Sequence, residues 1–387
     1  MTAFNLESYL TKGVENIVKG IWKASLKNPV ASVYMLQYLN ANKEANARRK
    51  KAEEEGRHIP PFLIASITTS CNLHCRGCYA RANHNCFDGN ESKVEEQTKE
   101  FVPMLRADRW KQIFEEAQEL GISFILLAGG EPMMRRDVLE TAGRIKKILF
   151  PVFTNGTLFT QENLKLFQTY PNLLPVLSIE GSQQTTDGRR GAGIYDKLLQ
   201  GMLELQKKGI IFGSSVTVQK DNLQEVMGDS FVQSLISKGC KAVIYVEYVP
   251  VNQDTQDLAP QEKERIWMAE RLKKLREQYP ELVFVSFPGD EKTSGGCLAA
   301  GRGFFHINAY GSAEPCPFSA YSDTSLQSVS LEEALQSPLF RQLQDSGTLM
   351  TEHAGGCVLF EQEETVKRMC RGNAPDQKKE PDQKEAI

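Results

Sequence analysis

The sequence predicts a parallel α/β protein, either an open sheet or a barrel, with a helical segment before it and a cysteine-bearing region after it. Three observations carry this. Strand-like and helix-like segments alternate through six β-α units from Pro60 to about residue 250. Several of the strand segments are nearly continuous apolar runs, as strands covered on both faces should be. Three cysteines, Cys71, Cys75 and Cys78, directly follow the first strand, at the carboxyl end where such folds collect ligands.

The elements follow in order. Residues 1–57 read as a helical preface. Ile17, Val18, Ile21 and Trp22 recur at helical spacing among Lys12, Lys19, Lys23 and Lys27, and Asn28-Pro29 breaks the pattern. A second run carries Val33, Leu36 and Tyr38 into the charged stretch 48–55. A basic amphipathic helix can make a peripheral contact with an anionic membrane. It can equally pack its stripe on the next domain, and packing is the favoured reading because most such stripes are core faces. Strands are expected at 62–69, 123–128, 151–154, 174–180, 211–218 and 242–249, where Val, Ile, Phe and Thr concentrate. Helical patterns between them cover 110–120, 138–148, 195–208 and 231–238. A charged helix at 261–279 and a short strand at 282–287 close this domain, which is drawn as 58–288. The Gly- and Cys-bearing region is drawn as 289–371, and the polar residues 372–387 as a disordered tail.

Composition narrows the function. A 41% hydrophobic content supports a sizeable core, and a net charge of −3 gives no general attraction to nucleic acid. No run approaches the roughly 20 apolar residues of a membrane span, and the start lacks a secretory signal's design. The nine cysteines read as ligands rather than a disulfide framework, so a reducing cytoplasm is the expected compartment.

Cys71, Cys75 and Cys78 stand as C-x3-C-x2-C. Three such thiolates can hold an iron–sulfur cube while leaving one iron open to a ligand from outside the protein. A zinc knuckle completed by His74 or Cys86 is the competing reading, and inert buried thiols are a weaker one, since free cysteines have no reason to cluster. Gly129 and Gly130 end the second strand and let the backbone approach a ligand closely. Glu131 can accept hydrogen bonds from an ammonium group, or Gly129-Gly130-Glu131-Pro132 can simply start a helix. Ser178 and Glu180 share one face of the fourth strand, which fits a ligand with hydroxyl groups unless the strand ends there and Glu180 is solvated. Glu247 stands in the otherwise apolar sixth strand as a further inward polar candidate.

The run Thr-Thr-Ser-Cys71-Asn-Leu-His-Cys75-Arg-Gly-Cys78-Tyr79, followed by Gly129-Gly130-Glu131-Pro132, resembles the radical S-adenosylmethionine (radical SAM) superfamily over about 60–250. The resemblance implies a partial (β/α)6 TIM-like barrel, with the helical N-terminal preface and small cysteine-bearing C-terminal extension as additions. It implies a [4Fe-4S] cluster on Cys71, Cys75 and Cys78, with S-adenosyl-L-methionine bound at the open iron. Reductive cleavage of that cofactor would make a 5′-deoxyadenosyl radical that takes a hydrogen atom from substrate, the electron coming from a reducing donor protein. By resemblance Asn155 faces the cofactor, the ribose contact lies in the strand of Ser178 and Glu180, and Arg190 of Arg189-Arg190-Gly191 helps hold the cofactor. A solvated surface arginine is the plain alternative. The chain departs from the family where an aromatic residue often precedes the third cysteine, since here Gly77 does, with Tyr79 just after.

Cys297 and Cys316, in a C-x13-G-x4-C pattern through Gly311, resemble the start of the SPASM and twitch extensions. With Cys357 and Cys370 they would bind one further iron–sulfur cluster, with structural zinc as the alternative. Residues 304–308 and the Tyr310-Gly311 turn read as a hairpin presenting Cys297 and Cys316 on one side. Cys86 and Cys240 have no partner in sequence and read as ordinary thiols. The expected function is radical SAM chemistry on a peptide, with a lipid or small molecule as the competing substrate class. A non-catalytic iron–sulfur or zinc protein is the rival outside enzymes.

Overall fold

Seven parallel strands form the central sheet of the computed structural model. They are β1 (Phe62–Ser66), β2 (Phe124–Ala128), β3 (Phe150–Thr154), β4 (Leu173–Ser178), β5 (Gly213–Val218), β6 (Ala242–Glu247) and β7 (Val283–Phe287). They pair in chain order, and a short hairpin, β8 (His306–Ile307) and β9 (Ala313–Glu314), joins at the other edge with β8 parallel to β1. The sheet curls into a half-barrel, a partial TIM barrel. The structure describes residues 6–25, 29–87, 93–94, 101–250, 253–287, 295–351 and 357–372. Most of the expected tail therefore lies outside the described residues.

Alternation along the strands separates two environments. Leu63, Ala65, Ile125, Leu127, Val152, Val243 and Tyr245 point outward and are buried. Their neighbours Ile64, Leu126, Phe153, Ile244 and Val246 point inward and are only partly covered. The outer face is covered by helices, including α3 (Ala107–Leu120), whose Trp110, Ile113, Phe114 and Ala117 are fully buried. Phe114 meets Phe150 of β3 edge-on at 5.1 Å. The helix stops where expected, because Gly121 takes the left-handed conformation that closes it. Next come α4 (Arg136–Arg144), α5 (Gln161–Thr169) and α6 (Gln183–Arg190). Then follow α7 (Ile194–Lys207), α8 (Asp229–Ser237) and α9 (Glu262–Gln278), the last opened by a Gln261/Glu264 capping box. α5 and α6 are not among the helical patterns picked out in the sequence, although α5 buries Leu164, Leu166 and Phe167.

The preface forms α1 (Leu6–Ser25) and α2 (Pro29–Glu54). Val14, Val18 and Ile21 pack with Tyr34, Met35 and Tyr38 onto Phe124 and Leu149, at the amino ends of the strands. The Tyr38 hydroxyl donates to Ser123 O at 2.8 Å, and the buried Arg49 donates to Ser123 Oγ at 3.1 Å. The apolar stripe thus packs on the barrel, as favoured. Its composition differs from the expectation, since Val33 and Leu36 are exposed while Tyr34 and Met35 are buried. Neighbouring residues on a helix point about 100° apart, and tertiary packing chose the other face. Among the described residues no helix is long and apolar enough to cross a membrane.

Candidate active site

Cys71, Cys75 and Cys78 lie in the loop between β1 and the short helical turn Tyr79–Ala82, half-buried and lining one cavity. The loop is tied at several points. Cys71 N donates to Phe87 O at 3.2 Å, Phe87 N to Thr69 O at 2.8 Å, and Arg76 N to Arg189 O at 2.9 Å. Asn155 Nδ2 donates to Asn72 Oδ1 at 2.9 Å, and Asn72 Nδ2 to Thr157 Oγ1 at 2.8 Å. Asn155 therefore anchors the cysteine loop to the end of β3, a role its sequence neighbours did not reveal.

Cys86 corrects the sequence reading. The chain turns back after Ala82, and the Cys86 thiol hydrogen-bonds both Cys71 and Cys78. That bond, working against burial, draws the Cys71 thiol below its ordinary value and the Cys78 thiol down to about 5. Cys86 itself is pushed up by the same bonds. Burial raises Cys75, opposed by Arg190, whose Nη1 lies 3.9 Å from its sulfur.

The Gly129–Glu131 turn presses against this loop. A Cβ on Gly130 would sit 2.1 Å from Ser70 O and 3.0 Å from Cys71 N, and Gly129 (φ 136°) abuts Thr68. Gly130→Ala is expected to displace the backbone at Cys71 and lower iron uptake at the loop severalfold. Iron per chain after anaerobic reconstitution measures this, and wild-type uptake would argue against so close an approach. Glu131 is buried, with Oε1 accepting from Met133 N at 3.0 Å and Thr154 Oγ1 at 2.8 Å, and Oε2 from Asn155 N at 2.7 Å. Three of its roughly four acceptor positions are used internally, leaving one for a ligand in the cavity it lines. Burial raises its pKa, and these bonds oppose the rise.

Ser178 lines the cavity, its Oγ 3.1 Å from Ser215 Oγ across the β4/β5 register, with Thr217 farther along β5. This hydroxyl row is what a polyol would meet, and only the pairing of β5 beside β4 brings Ser215 and Thr217 into it. Glu180 departs from expectation. β4 ends at Ser178, so the alternation that would have turned Glu180 inward stops there. Glu180 is fully buried and absent from the cavity wall. Its Oε1 accepts from Arg189 Nη1 and Arg190 Nε, each at 2.8 Å, and Oε2 accepts from Thr217 N at 2.8 Å. Arg189 and Arg190 stand in the last turn of α6 rather than in a loop, and both reach the cavity. Glu247 lines the cavity and pairs with Arg265 of α9.

Gly77 explains the missing aromatic residue. Its φ is 66°, and a Cβ there would meet the Tyr248 hydroxyl at 2.4 Å. Tyr248 fills that place from the end of β6, lining the cavity with a buried hydroxyl that has no hydrogen-bond partner among the described residues. Tyr79 turns instead toward the C-terminal region, where its ring meets Phe318 edge-on at 5.1 Å. Its phenol is raised by burial, and further by Cys78 and Cys316. Cys316 and Cys357 are buried in the core shared with β1, β2 and β3, and Cys297 and Cys370 are half-buried against it. Cys297 N donates to Leu349 O at 2.8 Å, and Cys370 Sγ lies 3.4 Å from Ser322 O. Gly355 and Gly356 lie outside the described residues. Cys240 is an ordinary buried thiol, 3.1 Å from Ala242 O.

The cysteine loop, the glycine turn and the hydroxyl row face one cavity of about 1600 Å³. Residues 65–228 match the sequence profile of the Radical SAM superfamily. The chain carries a radical SAM domain. The chain is 32% identical over 169 residues to Fe-coproporphyrin III synthase of Methanosarcina barkeri, covering 43% of this chain and 39% of that one. AdoMet-dependent heme synthase of the same organism is 26% identical, over 81% of this chain and 90% of its own length. Among solved structures, Streptococcus suis SuiB bound to precursor peptide SuiA shares the fold, with a TM-score of 0.63, 16% identity and coverage of 83% and 76%. The superfamily implies a [4Fe-4S] cluster and S-adenosylmethionine. The radical SAM site fits them: three thiols face one space, Gly129 and Gly130 bring their turn against the cysteine loop where a Cβ would not fit, and Glu131 keeps one acceptor position at the same cavity.

Proposed function

We propose that Cys71, Cys75 and Cys78 hold a [4Fe-4S] cluster and that the protein uses S-adenosylmethionine to take a hydrogen atom from a substrate in the half-barrel. The observation that carries this is the convergence of the three thiols and the Gly129–Glu131 cradle on one cavity that continues down the barrel. When bound and reduced by an external donor protein, the cluster and cofactor supply a 5′-deoxyadenosyl radical. The chain's own residues orient and shield. Glu131, with one acceptor position left, takes the cofactor's ammonium group, and Ser178, Ser215 and Thr217 offer hydroxyls to its ribose. Arg190 is held by Glu180 beside Cys75. Cys297, Cys316, Cys357 and Cys370 are proposed to bind a second iron–sulfur cluster, a reading supported by the C-x13-G-x4-C spacing of Cys297 and Cys316 through Gly311.

SuiB, named with a precursor peptide, supports a peptide substrate. The heme synthase match over 90% of that relative, together with the largely apolar lumen, favours a small molecule, and we adopt that reading. Anaerobic reconstitution with iron, sulfide, S-adenosylmethionine and a reductant tests the chemistry. Formation of 5′-deoxyadenosine is expected, and its absence from a loaded, reduced protein would sink the proposal.

Cys86 adds a prediction. Hydrogen bonds to cluster sulfurs help set the reduction potential. A thiol donating its one proton to either Cys71 or Cys78 stabilises negative charge there, and so favours the reduced cluster. Cys86→Ala should therefore keep its iron but shift the potential to more negative values in a redox titration followed by electron paramagnetic resonance. An unchanged potential would mean that the thiol does not contact the loaded cluster.

A further inference from the structure

The barrel interior is not filled by its own side chains. Ile64, Leu126, Phe153, Val176, Ile244 and Val285 face the cavity from successive strands, whereas the inward residues of a closed barrel normally pack in layers. The resulting space of about 1600 Å³ exceeds the roughly 300–1,000 Å³ of an ordinary ligand pocket, so it has room beyond a cofactor at the cysteine end. Its polar lining concentrates at two ends. At the carboxyl ends of the strands stand the cysteines, Glu131 and the β4/β5 hydroxyls. At the amino ends α1 borders the cavity, and exposed Lys12, Gly13, Asn16 and Lys19 open it to solvent.

That second mouth is basic. Lys12, Lys19, Lys241 and Arg276 line it together with Glu281. Lys19 pairs with Glu15, whereas Lys12 and Lys241 have no ion pair among the described residues. Between the ends lies a stretch the length of a six-residue strand, about 20 Å, with an aliphatic and aromatic wall. A peptide backbone threaded there would lose water without finding hydrogen-bond partners, at a cost for each buried amide. A macrocycle with carboxylates on several sides would need cations at more than one end. At the cysteine end, the guanidiniums of Arg189 and Arg190 are already engaged by Glu180.

We propose that the lumen takes a single-headed anionic amphiphile, its aliphatic chain lying along the strands toward the cysteines and its acidic end at Lys12 and Lys241. This rests on the small-molecule reading above and names its substrate class. A free long-chain acid and an anionic phospholipid share this chemistry. Gly13 makes the idea testable. A Cβ there meets nothing within 4 Å, so the position accepts a side chain, and Gly13 borders the mouth.

The experiment measures palmitate binding to the full chain by calorimetry, and in a parallel arm binding to phosphatidylglycerol vesicles. Saturable binding of either probe is expected. It should be weakened at least tenfold by Gly13→Trp and severalfold by Lys12→Glu/Lys241→Glu, and kept by Gly13→Ala, with thermal unfolding checking that each variant is folded. Palmitate binding identifies a free acid as the source, and binding to vesicles alone a phospholipid. Failure of both probes would overturn the proposal, as would equal binding by folded wild type and Gly13→Trp, or displacement of the probe by a carboxylated porphyrin or an apolar peptide. The wild-type assay for 5′-deoxyadenosine is read separately. Its failure would remove the radical chemistry and leave the palmitate result standing, whereas failure of binding alone would leave the chemistry standing.

Discussion

Cys75→Ala is expected to reduce 5′-deoxyadenosine formation to background while leaving iron at the C-terminal cysteines. Cys75 is the middle thiol of the loop, and its sulfur is the one that Arg190 reaches at 3.9 Å. Without it two loop thiols remain, and Cys86 approaches Cys71 and Cys78 rather than Cys75. The side chain is only half-buried, so its truncation leaves the core intact. Iron analysis and product chromatography on the reconstituted variant check both halves. Loss of all iron would argue against two independent sites, and retained activity would move the catalytic cluster elsewhere.

Glu180→Ala should have the largest effect on stability. The carboxylate sits fully buried between two guanidiniums that are themselves about nine-tenths buried. Removing one partner of such a group leaves uncompensated buried charge, which costs about 3–5 kcal/mol. It also frees Thr217 N, so the hydroxyl row of β5 should loosen with it. Urea unfolding measures the loss, and a change under 1 kcal/mol would contradict the clamp. The pH dependence has a definite sign. Burial alone would raise the Glu180 pKa, but Arg190 and Arg189 outweigh it and hold the group below its ordinary value of 4.5. A depressed carboxylate contributes stability above its unfolded value and loses it as pH falls toward the folded one. The gap between wild type and variant should therefore be widest near neutrality and shrink below about pH 4.5.

Glu180 also marks where sequence reading stopped working. Alternation put it beside Ser178 on the inner face, a rule that holds only while the strand continues, and β4 ends at Ser178. Beyond the strand, two cations in the last turn of α6 decided where the carboxylate went. Cys86 is a similar case. In sequence it is open between an ordinary thiol and the fourth ligand of a zinc knuckle, and only the return of the chain to pair Phe87 with Thr69 brings it to the loop. Tyr248 was hidden because its partner is an absence, the missing side chain of Gly77.

What the sequence determined by itself is local. Apolar runs, turn glycines and the C-x3-C-x2-C spacing are written within a few residues, and they specified the strands, their order as β-α units and the position of the cysteine loop at a carboxyl end. The tertiary structure alone decided which side chains face one another across the barrel. It assigned Glu180 to the arginines, Cys86 to the cysteine loop and the inward residues to an unfilled lumen that opens beside α1. These depend on how strands curl and where loops return, free-energy differences shared among residues far apart in the chain, which no short stretch of sequence carries.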